Sequence, residues 1–311
     1  MIGSFFWGLN DERNLFNNQG NTTMLSIGNA PCSWGIYYPK DNRYTPEQYL
    51  DQVRAAGYAT TELGPLGFLP TDAAQLKDAL DSRALKLTGA THVHTLADPS
   101  THDALLATVD QLGKLVSDAG SKHVVIMDEG NWYTPGRRGV VDEASWKTVI
   151  GMVRDAQQRL AGEYGIAMTF HPHLGTCVER EAQIDRLLQD TEVNLCFDTG
   201  HHAAWGQDPA AYMRKVWPRI GYVHFKSVDA GVRARLLRGE IDTAQASAAG
   251  IFAPLTDGAV NMAEVMGLLA EKAYAGPCII EQDWSPTQTE EPVVLARKNL
   301  EYLQSLSGGV Q

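Results

Sequence analysis

Eight times between Met24 and Leu306 the sequence repeats one order: a short apolar run, a polar loop, then a stretch with apolar residues at helical spacing. This alternation constrains the fold more than any other feature, because strands separated by helices pair in parallel. The apolar runs fall at 25–31, 59–63, 85–93, 123–127, 166–170, 193–197, 220–225 and 278–280. The first helix is predicted from Pro46, which suits a first turn. It carries Leu50, Val53 and Ala56 on one face and stops at Gly57. Further helices are expected from Thr71 and Asp72, from Leu105 to a stop at Gly120, over 142–164, 180–188 and 209–217, after Val260, and over 292–306. Residues 227–257 interrupt the rhythm after the seventh strand, an insertion predicted to hold a helix at 231–238. An open doubly wound sheet is the rival arrangement. Eight units, no Gly-x-Gly-x-x-Gly after the first strand and no second domain favour a single closed (β/α)8 barrel over 24–311.

Residues 1–23 stand apart. Met1 to Leu9 are apolar but lack the basic start and the run length of a secretory signal. Residues 10–23 are polar, rich in Asn and without a period. The segment reads as a flexible arm, or as upstream sequence read through from a wrong start codon. The net charge of −11 argues against nucleic acid as a partner, since phosphate binders carry basic stripes. No apolar run reaches the roughly 18 residues of a membrane helix. Cys32, Cys177, Cys196 and Cys278 form no Cys-x-x-Cys pair and read as buried thiols, which fits a cytoplasmic enzyme.

The histidines point to the site. Seven of nine (His92, His94, His171, His173, His201, His202 and His224) lie at or just past a predicted strand C-terminus. In a barrel those termini converge on the catalytic face. Four segments carry the chemistry: Phe170-His171-Pro172-His173-Leu174-Gly175-Thr176, Asp198-Thr199-Gly200-His201-His202, Tyr222-Val223-His224-Phe225-Lys226 and Ile280-Glu281-Gln282-Asp283. Imidazoles and carboxylates from adjacent strands make a mixed N/O site suited to manganese, cobalt, iron or zinc. Calcium would want more oxygens. Only one of His171 and His173 is expected to face the metal, and His171 is assigned. Asp198 reads as a ligand rather than a helix cap, the cap being expected nearer Asp208.

Asp-Thr-Gly-His on the sixth strand, Val-His-Phe-Lys on the seventh and a Glu ending the eighth resemble the xylose-isomerase-like TIM barrel superfamily of sugar isomerases and epimerases. The resemblance implies one divalent metal, manganese first, held by residues from strands five to eight. Its Asp, His and last Glu map onto Asp198, His224 and Glu281, while His171 stands where the family has its first Glu. That departure, the His171 to Thr176 pattern, the segment from Gly28 to Gly35 and Thr61-Glu62-Leu63-Gly64-Pro65 are similar to the inosose dehydratase branch. The resemblance covers residues 25–307.

It implies a small polyol or keto-sugar substrate such as scyllo-inosose. A metal-stabilised enediolate then leads to loss of a β-hydroxyl. His201, Lys226 and His173 are the candidates for proton transfer, with Glu281 beside them. His173 is the expected acid, because imidazole titrates near neutral pH. Glu62, His94, Trp34 and Asp229 are candidate substrate contacts, and Trp132 and Trp284 candidate pocket walls. Asp128 and Glu129 are a reserve of carboxylate. Arg233, Arg235 and Arg238 form a lid, a subunit contact or a solvated charged face, and a homo-oligomer is compatible with the sequence. Two other outcomes of the same half-reaction stay open. One is isomerisation or epimerisation of a ketose. The other is elimination from a 3-keto-glycoside, which calls for a much larger mouth.

Overall fold

The computed structural model describes residues 25–130, 141–285 and 287–307. Its strands are β1 (Ile27–Asn29), β2 (Thr60–Glu62), β3 (Lys86–His94), β4 (His123–Asp128), β5 (Ala167–Phe170), β6 (Asn194–Asp198), β7 (Ile220–Phe225), the two-residue β8 (Ser227–Val228) and β9 (Phe252–Ala253), and β10 (Cys278–Ile280). All but β8 and β9 close into a barrel in the order β1-β10-β7-β6-β5-β4-β3-β2, every neighbouring pair parallel. The helices are α1 (Pro46–Ala55), α2 (Ala73–Asp81), α3 (His102–Asp118), α4 (Glu143–Tyr164), α5 (Glu181–Asp190), α6 (Thr199–Ala204), α7 (Pro209–Val216), α8 (Ala230–Leu237), α9 (Thr243–Ala248), α10 (Met262–Glu271) and α11 (Pro292–Ser307).

Helix starts follow local chemistry. The side chains of Thr45, Asp72, Asp142, Asp208 and Asn261 each accept a backbone N–H at the head of a helix. The apolar faces of the barrel helices pack on the strands and form the main core. A small second cluster of Ala30, Val125, Cys196, Tyr222 and Ile279 fills the barrel interior. Among the described residues, no helix is long and apolar enough to cross a membrane.

Two regions depart from the sequence reading. The short helix α6 follows β6 directly, ahead of the expected one. The insertion after β7 holds two helices, α8 and α9, and an antiparallel ribbon of β8 and β9. Two-residue strands leave no period to read, so the ribbon has no signature in the sequence. Its consequence is local, since it folds Phe252 back over Lys226 and His201. Arg235 and Arg238 turn to Glu240 on the exposed side of this insertion.

Candidate metal centre

His171 follows β5, Asp198 ends β6, His224 lies near the end of β7 and Glu281 follows β10. These four strands are consecutive in the barrel, and Asp198 pairs with His224 across β6 and β7. One ligand atom from each residue falls within 4.8 Å of all the others, and all four side chains are buried. His224 Nδ1 lies 3.2 Å from Glu281 Oε2 and 3.9 Å from Asp198 Oδ2. Within this cluster His171 Nδ1, Asp198 Oδ2 and His224 Nδ1 are buried without a hydrogen-bond partner. Unpartnered polar atoms are costly in a protein interior, and a divalent cation bound by the deprotonated imidazoles and the carboxylate would satisfy all three. The donor set fits such an ion.

Asp198 does two jobs, which corrects the expectation that it is a ligand and not a cap. Its Oδ1 accepts from the N–H groups of Gly200 and His201 at 2.7 and 2.8 Å, starting α6, while Oδ2 faces the cluster. Burial first, then its charged neighbours, set its pKa at about 6. Gly200 lets α6 sit this close: a Cβ there would lie 2.8 Å from the Cβ of Lys226.

His224 is oriented from behind. Its Nε2 meets Glu62 Oε1 at 3.2 Å, which directs Nδ1 to the cluster. The same oxygen accepts from Tyr222 Oη at 2.7 Å, and Thr91 donates to Oε2 at 2.9 Å. Burial works against a charge on His224, yet Cys196, Glu281 and Glu62 hold its pKa well above the ordinary imidazole value. The concentration of negative charge responsible is what a cation would meet. Glu62, expected as a substrate contact, thus braces the centre, although it also lines the cavity.

Beside the four lies a buried lysine–histidine pair. Lys226 Nζ is 3.0 Å from His201 Nε2, 3.1 Å from both Asp283 Oδ2 and Glu281 Oε2, and 3.5 Å from Asp198 Oδ2. Burial opposes its charge, but Asp283, Asp198 and Glu281 raise its pKa well above the ordinary lysine value. His201 Nδ1 accepts from the Leu174 N–H at 3.2 Å, which puts the ring proton on Nε2, facing the amine. The ammonium form is satisfied by its carboxylate neighbours, and a hydrogen bond along this axis needs the neutral amine to accept from His201 Nε2–H.

His171 and His173 both reach the cavity. The expectation is that only one faces the metal, and the four-donor cluster contains His171 and not His173; both reach the cavity because residues i and i+2 of an extended segment share a face. The rings of His173 and His201 lie 3.8 Å apart. His173 Nδ1 is 3.0 Å from the Leu174 carbonyl and must be its donor, leaving Nε2 without a proton. Burial and then Lys226 push the His173 pKa down to about 4. A neutral ring with a bare Nε2 is an acceptor near pH 7, so the expected acid role does not fit.

Other candidates lie elsewhere. Trp34 is buried, donates to Gln52 and packs edge-on to Tyr49. His94 Nε2 meets the Thr101 carbonyl, and Asp229 caps α8 through the Val232 N–H. These three do not line the cavity, where His92 stands in place of His94. Asp128 accepts from the N–H groups of Leu96 and Cys177, tying two loops together. His202 packs between Phe197 and Tyr212. Trp284 lines the cavity, and Trp132 lies outside the described residues. Asp283, Tyr37 and Phe252 join the site without having been candidates. Of these, only Asp283 carries a signal in the sequence, its place two residues after Glu281.

A closed parallel barrel with a buried imidazole–carboxylate centre at its strand C-termini is an enzyme's scaffold. The chain belongs to the xylose isomerase-like TIM barrel family, which it matches over residues 50–306. The rhizopine catabolism protein MocC of Rhizobium meliloti is 32% identical over 300 residues, covering 93% of this chain and 91% of the relative. An inosose dehydratase of Geobacillus kaustophilus is 28% identical over 298 residues, covering 90% and 94%. Among solved structures, the IolI protein with a bound zinc atom superposes with a TM-score of 0.70 at 14% identity, covering 90% of this chain and 98% of its own. The 3-keto-D-glucoside 4-epimerase YcjR of E. coli gives 0.67 at 15% identity, covering 91% and 100%. At these identities the structural likeness concerns the fold.

Proposed function

We propose that this enzyme dehydrates a cyclic keto-polyol of the inosose type. The observation that carries the reading is the pairing of a four-donor centre with the Lys226–His201 axis, within 3.5 Å of two of its carboxylates. The similarity to inosose dehydratases over most of the chain supports it. His171, Asp198, His224 and Glu281 would hold the ion, with manganese the first candidate and cobalt, iron or zinc the alternatives. When bound, a divalent ion there supplies a Lewis acid for adjacent carbonyl and hydroxyl oxygens.

The chain's own groups do the rest. Lys226, once it has passed its proton to the Asp283 carboxylate 3.1 Å away, removes the hydrogen beside the carbonyl. Its ammonium form then protonates the departing hydroxyl on the next carbon, so one residue serves both steps. His201 Nε2–H donates to the neutral amine and aims its lone pair, and Leu174 N–H keeps the ring in register. His173 Nε2 accepts a substrate hydroxyl rather than acting as the acid. Asp283 fixes the amine between turnovers. Phe252, 4.7 Å from Lys226 Nζ, shields the amine from water.

The test is incubation of the manganese-loaded protein with scyllo-inosose. Loss of one water by mass and new ultraviolet absorbance from the conjugated enol are expected. An untouched inosose, with a ketose in a parallel panel isomerised or epimerised, would replace dehydration by the isomerase reading.

A further inference from the structure

The cavity above the metal centre is divided by polarity. Among the described residues it measures about 660 Å³, well inside the range that houses drug-sized ligands. A single six-membered polyol fills only its floor. That floor carries the charged and imidazole groups, and the unpartnered Nδ1 of His171 is there, next to the Asp198 carboxylate of the four-donor cluster. The walls above come from loops beyond the strand ends and are apolar: Ile36, Tyr37, Pro39, Pro65, Leu66 and Trp284.

Apart from Thr108, the hydroxyls that reach the outer part are already engaged. Tyr37 donates to the Trp284 carbonyl at 3.1 Å and Ser247 to the Thr243 carbonyl at 3.0 Å. Ser285 and Thr287 bond each other at 2.9 Å. A substrate hydroxyl placed there would give up water for few partners, which is unfavourable. An alkyl or aromatic group placed there would shed water from its own surface and from the walls.

From this separation we infer that the substrate is amphipathic: a keto-polyol ring on the floor, bearing an ether-linked alkyl or aryl group that occupies the outer vestibule. The inference rests on the dehydratase reading for the ring and on the vestibule for the substituent. It differs from that reading in naming a substituted ring as the preferred substrate.

The test separates the two. Calorimetric titration of the manganese-loaded protein compares myo-inositol with a mono-O-benzyl ether of myo-inositol, neither of which carries the reactive ketone. The ether is expected to bind at least about tenfold tighter, given the apolar area that a benzyl group buries. Trp284→Ala and Leu66→Asn, checked for folding by circular dichroism, should each pull the ratio toward one. In parallel, kcat/KM is measured for inosose and its benzyl ether. If inosose loses water but the ethers bind and react no better, the inference falls and the dehydratase reading stands. If neither ketone reacts while the inositol ether binds tighter, the vestibule stands and the reaction is reassigned. A wild-type binding ratio near one, or no binding of either inositol probe, overturns the inference whatever the variants do.

Discussion

At the scale of single residues, the centre depends on which nitrogen and which oxygen each side chain presents. Asp198→Ala and His224→Ala each remove one of four donors. Metal analysis of the purified variants should show occupancy far below one ion per chain. Glu62 acts on the centre through His224, whose ring it fixes. Glu62→Leu should therefore weaken metal affinity by about ten- to a hundredfold in a chelator competition, and Glu62→Gln, which keeps an acceptor, by less. Equal affinities in all three proteins would remove Glu62 from the role. Lys226→Met should lower turnover by about a hundredfold or more while the metal stays bound, the split expected of a proton-transfer group. A parallel loss of metal would make Lys226 structural. His171, Asp198, His224, Glu281 and Lys226 are all legible in the sequence, because each lies at a strand end and the barrel gathers strand ends. His94, Trp34 and Asp229 mislead for the converse reason: nearness to a strand end does not say which way a side chain turns.

At the scale of elements, two devices hold the groups in place. One is the close seat of α6 on β7. Gly200→Ala would drive a methyl into Lys226, so a loss of roughly 1–3 kcal/mol in denaturant melts is expected, with turnover falling as the axis shifts. The other is the loop from His171 to Glu179. Glu179 accepts from Gly175 N–H at 2.7 Å and from Trp205 Nε1 at 3.1 Å, next to the Leu174 N–H that orients His201. Burial, against those hydrogen bonds and Arg180, lifts its pKa to about 7 from the ordinary 4.5. For a carboxyl group with a raised folded-state pKa, ionisation is disfavoured in the fold. Stability is therefore fullest below the ordinary value and falls as pH rises from about 4.5 through about 7. Glu179→Gln should flatten this slope, gaining up to roughly 3 kcal/mol on the wild type between pH 5 and pH 8. Parallel stability curves for the two proteins would show that Glu179 does not titrate in this window. None of this loop chemistry is readable from the sequence, since its partners, backbone N–H groups and the Trp205 indole, are brought together only by the fold.

At the scale of the whole molecule, the metal would link four consecutive strands, so binding is coupled to global stability. Adding manganese to chelated protein should raise the melting temperature. The gain would be about 4 kcal/mol at a thousandfold excess over Kd, and Asp198→Ala should show almost none of it. An identical melting temperature with and without the ion would mean that the four donors do not hold it. The sequence by itself determined the barrel, because alternating apolar runs and amphipathic stretches admit few other packings, and it determined the end of the barrel where the chemistry lies. It also supplied the donors, since residue type and strand position are local properties. Tertiary structure alone decided the rest. It set the tautomers of His173 and His201, the bracing of His224 by Glu62 from the far side of the barrel, and the reach of Phe252 from the insertion. It also divided the cavity into a polar floor and an apolar vestibule. These depend on contacts between residues far apart in the chain, and on burial that shifts proton affinities, neither of which a linear pattern encodes.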